Sequence, residues 1–285
     1  MQVSISGGTG FIGIHLTRKF KEAGWKINII DRQSIMLNDE DFLRQKIEGS
    51  DVVINLAGVP ILKRWNEDYK REIRDSRIGT TRKIVSAIRN AEKKPHVFIS
   101  GSAIGIYKSE GSHTEESSEL ADDFMAGVCK DWEKEAMSAS GNTRVVIFRI
   151  GVVLGKDGGA LESMYRPFKM GLGGKVASGK QAFSWISIYD LVEAFMFVIE
   201  KEGVSGIVNA VAPYPTDNSH FTETFGKVLN QPAIMRIPGF ALRLIFGEAA
   251  QALTSGQKVI PDRLLNAGFD FKYPTIEKAL MAIYR

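Results

Sequence analysis

Short apolar runs rich in valine and isoleucine alternate along the chain with longer segments in which apolar residues recur every three or four positions. The short runs have the length of buried β-strands, and the longer segments have the spacing of amphipathic helices. The strand runs lie at 3–6, 26–30, 52–56, 97–100, 144–150 and 207–211, and the helical segments at 12–23, 39–47, 69–90 and 124–138. This alternation predicts a doubly wound α/β fold, in which right-handed crossovers place helices on both faces of a parallel sheet.

The pattern changes after Gly155, where glycines become frequent and the apolar periodicity weakens. This texture predicts a loop-rich, pocket-side insertion at about 156–182, in which residues 165–170 could form a short helical piece. A helix follows within 186–199 and starts near Asp190. Prolines at 213 and 215 then end the last strand run. We predict a main domain over residues 1–212 and a small, mostly helical lobe on the substrate side over residues 213–285.

The composition is that of an ordinary globular protein, with 285 residues, 44% hydrophobic and 25% charged. Cys129 is the single cysteine, so an internal disulfide framework is excluded. The first strand run begins at residue 3, which leaves no room for a signal peptide ahead of it. No apolar run approaches the roughly 20 residues that a membrane helix needs. We therefore expect a cytoplasmic protein without a membrane partner.

The charge distribution does not favour a nucleic-acid partner. The net charge is +4, and much of the excess lies between residues 63 and 94, where acidic residues are interspersed with basic ones. Apolar residues at helical spacing in that stretch place many of these bases on the solvated faces of helices. The four histidines are scattered without metal-ligand spacing, so we predict no metal site.

A glycine-rich turn follows the first strand run and precedes the first helix. In this turn Gly7, Gly10 and Gly13 would allow a tight turn, close approach of the backbone to a pyrophosphate, and close packing of helix on strand. The helix beginning at Phe11 or Ile12 would point its free N–H groups at the phosphates. The turn therefore predicts a Rossmann domain that binds NAD or NADP.

The second and third strands end in residues that suit the same cofactor groove. Asp31, 18 residues beyond Gly13, is placed to accept hydrogen bonds from the adenosine ribose of NAD, whereas the adjacent Arg32 could pair with the extra phosphate of NADP. The residues alone leave this choice open. Leu56, Ala57 and Gly58, which follow Asn55, bring small groups against the groove.

These motifs, together with Ser100-Gly101-Ser102-Ala103, resemble those of the extended short-chain dehydrogenase/reductases, the NAD-dependent epimerase/dehydratase family. The resemblance covers most of the chain and is strongest to an atypical branch described as nucleoside-diphosphate-sugar epimerases, which carry an Arg-Trp pair such as Arg64-Trp65 here. Further matching segments are Ser76-Arg77, Trp132-Glu133, 149–155, 171–174, Trp185-Ile186 and 256–261. The resemblance implies a Rossmann sheet, a small-molecule substrate such as a nucleotide-linked sugar, and a homodimer.

The branch also implies a cofactor and a set of substrate-side residues. Its members commonly end the second strand with an arginine that suggests NADP, and Arg32 fills this place, although Asp31 before it leaves NAD open. The residues expected to line the substrate side are Arg64, Trp65, Arg77, Trp185 and Lys258.

The chain departs from the wider family at the catalytic positions. That family uses a tyrosine to exchange a proton with the substrate, a lysine four residues later to lower the tyrosine pKa, and a serine or threonine. Ser102 fits the last role, but the tyrosine and lysine positions fall on Met125 and Cys129. Methionine has no exchangeable proton, and a thiol is no permanent cation. We interpret Cys129 as a small packed thiol rather than a nucleophile.

Two single residues and one pair of residues could replace the missing tyrosine and lysine. Tyr107 follows Ser102 closely and could face the substrate from the same loop. Tyr165 and Lys169 have the Tyr-x-x-x-Lys spacing but lie in the pocket-side insertion, and Lys130 is rotated about 100° from the expected lysine. We predict that Ser102 binds the reacting oxygen and that Tyr107 or a water handles the proton.

Two functions remain open from the sequence. The first is an NAD(P)-dependent oxidoreductase or epimerase-like enzyme that acts on a small hydroxyl or carbonyl compound with a nonstandard active site. The second is a non-catalytic protein that binds the dinucleotide as a sensor or regulator. The absence of a tyrosine and a lysine at positions 125 and 129 motivates the second hypothesis.

Overall fold

A computed structural model describes residues 1–37 and 39–285 of the chain. Its strands are β1 (Gln2–Ser6), β2 (Lys26–Ile30), β3 (Val52–Asn55), β4 (Val97–Ala103), β5 (Ser112–His113), β6 (Arg144–Ile150), β7 (Val152–Gly155), β8 (Gly174–Val176), β9 (Ala182–Phe183), β10 (Trp185–Ser187), β11 (Gly206–Ala210), β12 (Thr216–Asp217), β13 (Met235–Ile237) and β14 (Lys258–Val259). The α-helices are α1 (Phe11–Glu22), α2 (Arg32–Met36), α3 (Glu40–Ile47), α4 (Glu67–Arg74), α5 (Thr80–Asn90), α6 (Phe124–Met137), α7 (Gly159–Lys169), α8 (Ile188–Glu200), α9 (Asn218–Val228), α10 (Gly239–Phe246), α11 (Gln251–Thr254), α12 (Asp262–Asn266) and α13 (Ile276–Tyr284).

Six parallel strands form the central sheet in the order β11-β6-β4-β3-β1-β2. Successive residues of a strand point to opposite faces, so both faces need cover when every residue is apolar. Val52 and Ile54 pack with α1 and α8 on one face, whereas Val53 packs with α3 and α5 on the other. The predicted doubly wound fold is confirmed.

The carboxyl ends of these parallel strands meet at one edge of the sheet, where an open α/β sheet binds its ligands. The order of the strands places the β1 end between the end of the edge strand β2 on one side and the β3, β4 and β6 ends on the other. The predicted cofactor residues follow β1, β2 and β3, and Ser102 lies near the end of β4, so the topology places these residues along the same edge.

A third apolar core joins the segment after residue 211 to the end of the sheet. It contains Trp185 and Leu154 from the short strands, together with Phe221, Phe225 and Leu280 from α9 and α13. The short strands β12, β13 and β14 pair with β9, β8 and β5 respectively. Residues 213–285 are therefore anchored to the earlier part of the chain by both packing and backbone hydrogen bonds.

Three local features differ from the prediction. The helical segment 69–90 is divided into α4 and α5 by a π-helical turn, Asp75–Gly79. The pocket-side insertion holds the full helix α7, with Pro167 inside it, because Leu161 and Phe168 are buried in the third core. Helix α2 follows β2 directly and is missing from the predicted elements.

The helices of residues 1–37 and 39–285 include none long and apolar enough to cross a membrane.

Candidate functional site

The glycine turn packs tightly against the turn that follows β3. Gly7 has a φ of +77°, and a Cβ built on it would lie 2.7 Å from the carbonyl carbon of Leu56. A Cβ on Gly13 would lie 2.2 Å from the Gly7 carbonyl oxygen. Both distances are too short for any side chain. Glycine at position 7 therefore lets β1 approach the turn after β3, and glycine at position 13 lets α1 start close to Gly7.

Gly10 is the N-cap of α1, and it leaves the start of the helix open. A Cβ at this position would meet only the Gly7 carbonyl oxygen, at 3.3 Å, among the described residues. The cap has no side-chain hydrogen bond to the amides of the first turn, and no acidic residue lies in that turn. Free amides and the positive end of the helix dipole suit a pyrophosphate, so the geometry fits the dinucleotide that the turn predicts.

Phe11 and Ile12, which the sequence assigns to the cofactor, also have packing roles. The Phe11 ring lies against the glycines that follow β7, because a Cβ on Gly155 or Gly158 would come within 2.6 or 2.5 Å of the ring. Ile12 packs against the core on the α1 face of the sheet. The Phe11 ring therefore packs the start of α1 against the first residues of the pocket-side insertion.

Asp31 and Arg32 differ in how free their side chains are. Asp31 Oδ1 accepts hydrogen bonds from the backbone N and the Oγ of Ser34, both at 2.7 Å, and thereby caps α2. These hydrogen bonds lower the pKa of Asp31. The Arg32 side chain is 76% exposed, with Nη2 3.7 Å from a Glu72 carboxylate oxygen. The arginine is therefore the freer of the two side chains to meet a ligand.

Asn55 and Arg77 shape the turn Leu56-Ala57-Gly58. Asn55 Nδ2 donates to Thr81 Oγ1 at 2.8 Å, and Asn55 Oδ1 accepts from the Ala57 amide at 3.2 Å. Arg77 Nη2 donates to the Val59 carbonyl at 3.0 Å, and a Cβ on Gly58 would lie 2.9 Å from the Arg77 guanidinium carbon. Arg77 thus lies over the exposed Gly58 at the groove.

Ser102 is joined to a buried ion pair. Its Oγ donates to Glu133 Oε1 at 2.6 Å, and Arg149 donates to both oxygens of that carboxylate, at 2.8 and 2.7 Å. All three side chains are buried. Because the serine proton is directed at a carboxylate, the lone pairs of Ser102 are what remains for a ligand. The sequence points to Glu133 and Arg149 only as family-like segments and gives no sign that they pair.

Tyr107 belongs to the same network, but its ring is fully buried. Its hydroxyl donates to Asn209 Oδ1 at 2.9 Å and accepts from Arg149 Nη1 at 2.7 Å, while the ring stacks on His113. Burial raises the pKa of Tyr107, against the opposing effect of Arg149. The sequence predicts Tyr107 facing a substrate, whereas the structure places it in the core. Proton transfer by Tyr107 therefore stays a prediction that its position does not support.

The remaining candidate replacements lie on separate helices, Lys130 on α6 and Tyr165 with Lys169 on α7, and Cys129 at the lysine position is packed inside. Cys129 on α6 is fully buried, and burial raises its pKa to about 11, as expected for a packed thiol. Lys130 is exposed and donates to the Ala121 carbonyl at 2.6 Å. Tyr165 lies on α7 and stacks on Tyr284 in the packing around the third core.

The expected substrate-side residues are spread over different environments. Arg64 is exposed and donates to the Leu244 carbonyl at 3.1 Å, which links the loop after β3 to α10. Trp65 is half-buried, with its Nε1 on the Ile61 carbonyl. Trp185 is fully buried, and Lys258 is exposed on β14. Their contacts with a substrate stay predictions.

No group of three or more histidine, cysteine or acidic side chains that could hold a metal ion occurs in the part of the chain that the structure describes.

Comparison with known proteins adds the family. The model of the NAD dependent epimerase/dehydratase family matches residues 3–211, and a domain of unknown function, DUF1731, matches residues 237–283. The chain is 39% identical over 300 residues to the chloroplastic homologue of epimerase family protein SDR39U1 from Arabidopsis thaliana, covering 99% of this chain and 86% of that protein.

Two solved structures resemble the structure of this chain. The human epimerase family protein SDR39U1, crystallised with NADPH, is 35% identical with a TM-score of 0.93, and the match covers 100% of this chain and 99% of that one. A nucleoside-diphosphate sugar epimerase from Corynebacterium glutamicum is 31% identical with a TM-score of 0.79, over 100% of this chain and 58% of that one. With the glycine turn, the six-stranded sheet and these matches together, the chain belongs to the NAD dependent epimerase/dehydratase family.

Proposed function

We propose that this protein is an NADP(H)-dependent oxidoreductase or epimerase-like enzyme that acts on a small hydroxyl or carbonyl compound. The observation that carries the proposal is the open N-terminus of α1 at Gly10. It follows β1 at the edge of the sheet where the carboxyl ends of the strands meet, next to the end of β2. Free amides at a helix N-terminus bind phosphate, and in this fold they bind the pyrophosphate of a dinucleotide.

The exposed guanidinium of Arg32 supports NADP rather than NAD. A guanidinium pairs with a phosphate through charge-assisted hydrogen bonds, and the 2'-phosphate is the group that distinguishes NADP. Asp31, which would bind a ribose hydroxyl of NAD, already uses one carboxylate oxygen to cap α2. The likeness to the human relative crystallised with NADPH points the same way.

When bound, the nicotinamide ring supplies the hydride acceptor or donor for such a reaction. Ser102 would then hold the reacting oxygen by accepting a hydrogen bond from a substrate hydroxyl, because its own proton is directed at Glu133. With Met125 and Cys129 at the family's tyrosine and lysine positions, we propose that water exchanges the proton. A nucleotide-linked sugar is one candidate substrate, supported by the likeness to the Corynebacterium glutamicum epimerase.

A second candidate is a dinucleotide-binding sensor or regulator without turnover. The observation in its favour is the pair Met125 and Cys129, since the methionine carries no exchangeable proton and the thiol is buried with its pKa raised to about 11. This candidate uses the same groove, so cofactor binding alone does not separate the two.

The test has a binding step and a turnover step. NADPH titrated into the wild-type protein should bind, and Gly10→Val should abolish binding with the fold intact, because the new side chain would extend into the open groove. Gly203→Val is the matched control, since its Cβ would meet nothing within 4 Å in the part of the chain that the structure describes, and Gly203 lies in an exposed turn. Undiminished affinity in Gly10→Val would refute the cofactor site.

Turnover is then followed by absorbance at the nicotinamide band, with a panel of nucleotide sugars, free sugars and small carbonyl compounds. Oxidation or reduction of the cofactor with any member supports the enzyme. Because an epimerase can leave the cofactor unchanged, the products of nucleotide sugars are also resolved by chromatography. Tight NADPH binding without change in any substrate would support the sensor instead.

A further inference from the structure

A cation lies beside the position at which the family's lysine is missing. Cys129 fills that position on α6, and the guanidinium of Arg77 enters the same space from the π-helical turn Asp75–Gly79. Its carbon would be 2.9 Å from a Cβ on Gly58, and it lies 5.6 Å from the ring centre of Trp132, one turn of α6 beyond Cys129. We propose that Arg77 takes the place of the missing lysine as the cation that binds the nicotinamide ribose, a role that rests on the proposed function.

The topology puts Arg77 at the correct end of the groove. The adenosine would lie at the β2 end, beside Arg32, and the pyrophosphate at the β1 end, beside Gly10. The other half of the dinucleotide must then extend across the ends of β3 and β4. Gly58 follows β3, and Ser102 is the second-last residue of β4, so a guanidinium packed on Gly58 lies along that half.

Arg77 also keeps donors for a ligand. Nη1 donates to the Ile73 carbonyl and the Ser76 hydroxyl at 3.3 and 3.4 Å, and Nη2 donates to the Val59 carbonyl at 3.0 Å. A guanidinium has five N–H groups, so among the described residues Nε–H and one Nη2 hydrogen have no acceptor. The side chain is half-buried, so part of its surface stays accessible to a ligand.

The electrostatics of the two residues agree with this placement. Burial raises the pKa of Cys129, and the nearby positive charge of Arg77 opposes that rise. Burial lowers the pKa of Arg77, which still leaves a guanidinium charged at neutral pH. A fixed positive charge therefore stands next to the neutral thiol, and its planar set of donors can bind two neighbouring ribose hydroxyls.

The experiment compares NADPH with 2',5'-ADP, which has the adenosine and its 2'-phosphate but lacks the nicotinamide half. We expect Arg77→Met to weaken NADPH binding by about 10- to 100-fold, which is the range for lost charge-assisted hydrogen bonds. The affinity for 2',5'-ADP should stay unchanged. Arg74→Met is the matched control, since Arg74 ends α4, pairs with Asp131 on α6 and is exposed to solvent. It should change neither affinity.

The other possible results of these titrations would overturn either the inference or the proposed function. Equal weakening of both ligands by Arg77→Met would overturn the inference, because it would indicate a purely structural role in holding the Gly58 turn. Unchanged NADPH affinity would overturn it as well. If wild-type protein binds 2',5'-ADP and NADPH equally well, the nicotinamide half gains no contact and the inference fails while the cofactor site stands. If wild type binds neither ligand, the proposed function itself fails.

Arg77→Gln keeps the test decisive if the methionine variant does not fold, as circular dichroism would show. Glutamine removes the positive charge but keeps a polar side chain, so we expect a loss of NADPH affinity of about 10-fold or more with 2',5'-ADP unchanged. A folded glutamine variant that retains full affinity for both ligands would overturn the inference.

Discussion

The buried pair Glu133–Arg149 offers the sharpest test of how the groove is supported. Its side chains are only 9% and 4% exposed, and they are joined by two hydrogen bonds of 2.7 and 2.8 Å. Arg149 is also the register partner of Ser102 across β4 and β6, so the pair lies directly beside the serine. Replacing Glu133 by methionine would leave a guanidinium buried without its counter-charge.

The expected cost follows from that burial. Removing one partner of a buried ion pair destabilises a protein by about 3–5 kcal/mol, because the remaining charge keeps its desolvation penalty. Arg149→Met should cost a similar amount for the same reason. The double variant should cost only about 1–3 kcal/mol, since it leaves no charge behind and mainly removes partners from the Ser102 and Tyr107 hydroxyls, each of which accounts for about 1 kcal/mol.

Urea unfolding of the wild type, both single variants and the double variant measures these values as a double-mutant cycle. The coupling free energy should be about 3 kcal/mol or more. Single variants that each lose less than about 1 kcal/mol, or a double variant whose loss equals the sum of the two, would refute the argument that the pair is a desolvated unit.

Three further predictions test the turn, the thiol and the cofactor choice. Gly13→Ala should destabilise the protein by about 1–3 kcal/mol, because its Cβ would lie 2.2 Å from the Gly7 carbonyl oxygen. Gly127→Ala should instead stabilise α6 by up to about 1 kcal/mol, because its Cβ would meet nothing within 4 Å among the described residues. Urea unfolding measures both, and equal effects would contradict the packing argument. With its pKa raised to about 11, Cys129 should resist alkylation near pH 8.5 in the native protein and react in the urea-unfolded chain. Native reactivity equal to that of the unfolded chain would contradict this protection. Because the thiol keeps its proton to a higher pH in the native state than in the unfolded chain, the free energy of unfolding should fall as the pH rises from about 8.5 towards 11. Arg32→Ala should weaken NADPH by about 10- to 100-fold in calorimetric titration and leave NADH nearly unchanged, whereas equal losses would favour Asp31 and NAD.

Much of the Rossmann sheet is predictable because its signals are local. The strand predicted at 144–150 is observed as Arg144–Ile150, and the helix predicted at 124–138 as Phe124–Met137. Buried parallel strands appear as apolar runs, and crossover helices as apolar stripes, so each element carries its own pattern. The spacing of Gly10 and Gly13 is also local, since their contacts are with Gly7 and Gly8, whereas Gly7 additionally packs on the distant turn after β3.

The helix α7 and the position of Tyr107 show where local patterns do not suffice. Pro167 and the surrounding glycines favour a loop with at most a short helical piece at 165–170, but burial of Leu161 and Phe168 in the third core stabilises a full helix at Gly159–Lys169. Tyr107 follows the serine of the site in sequence, yet Arg149 and Asn209 bind its hydroxyl inside the core. In both cases contacts with residues far along the chain outweigh the local preference.

The amino-acid sequence by itself determined the strand and helix alternation, the glycine turn at 7–13, and the absence of tyrosine and lysine at positions 125 and 129. Tertiary structure alone decided which charges meet. Glu133 reaches Arg149 because β6 pairs with β4 beneath α6, and Arg77 approaches Cys129 across 52 residues of chain because the π-helical turn packs against that helix. A buried charge is stable only beside partners that satisfy it, and those partners are set by the folded topology rather than by spacing along the chain.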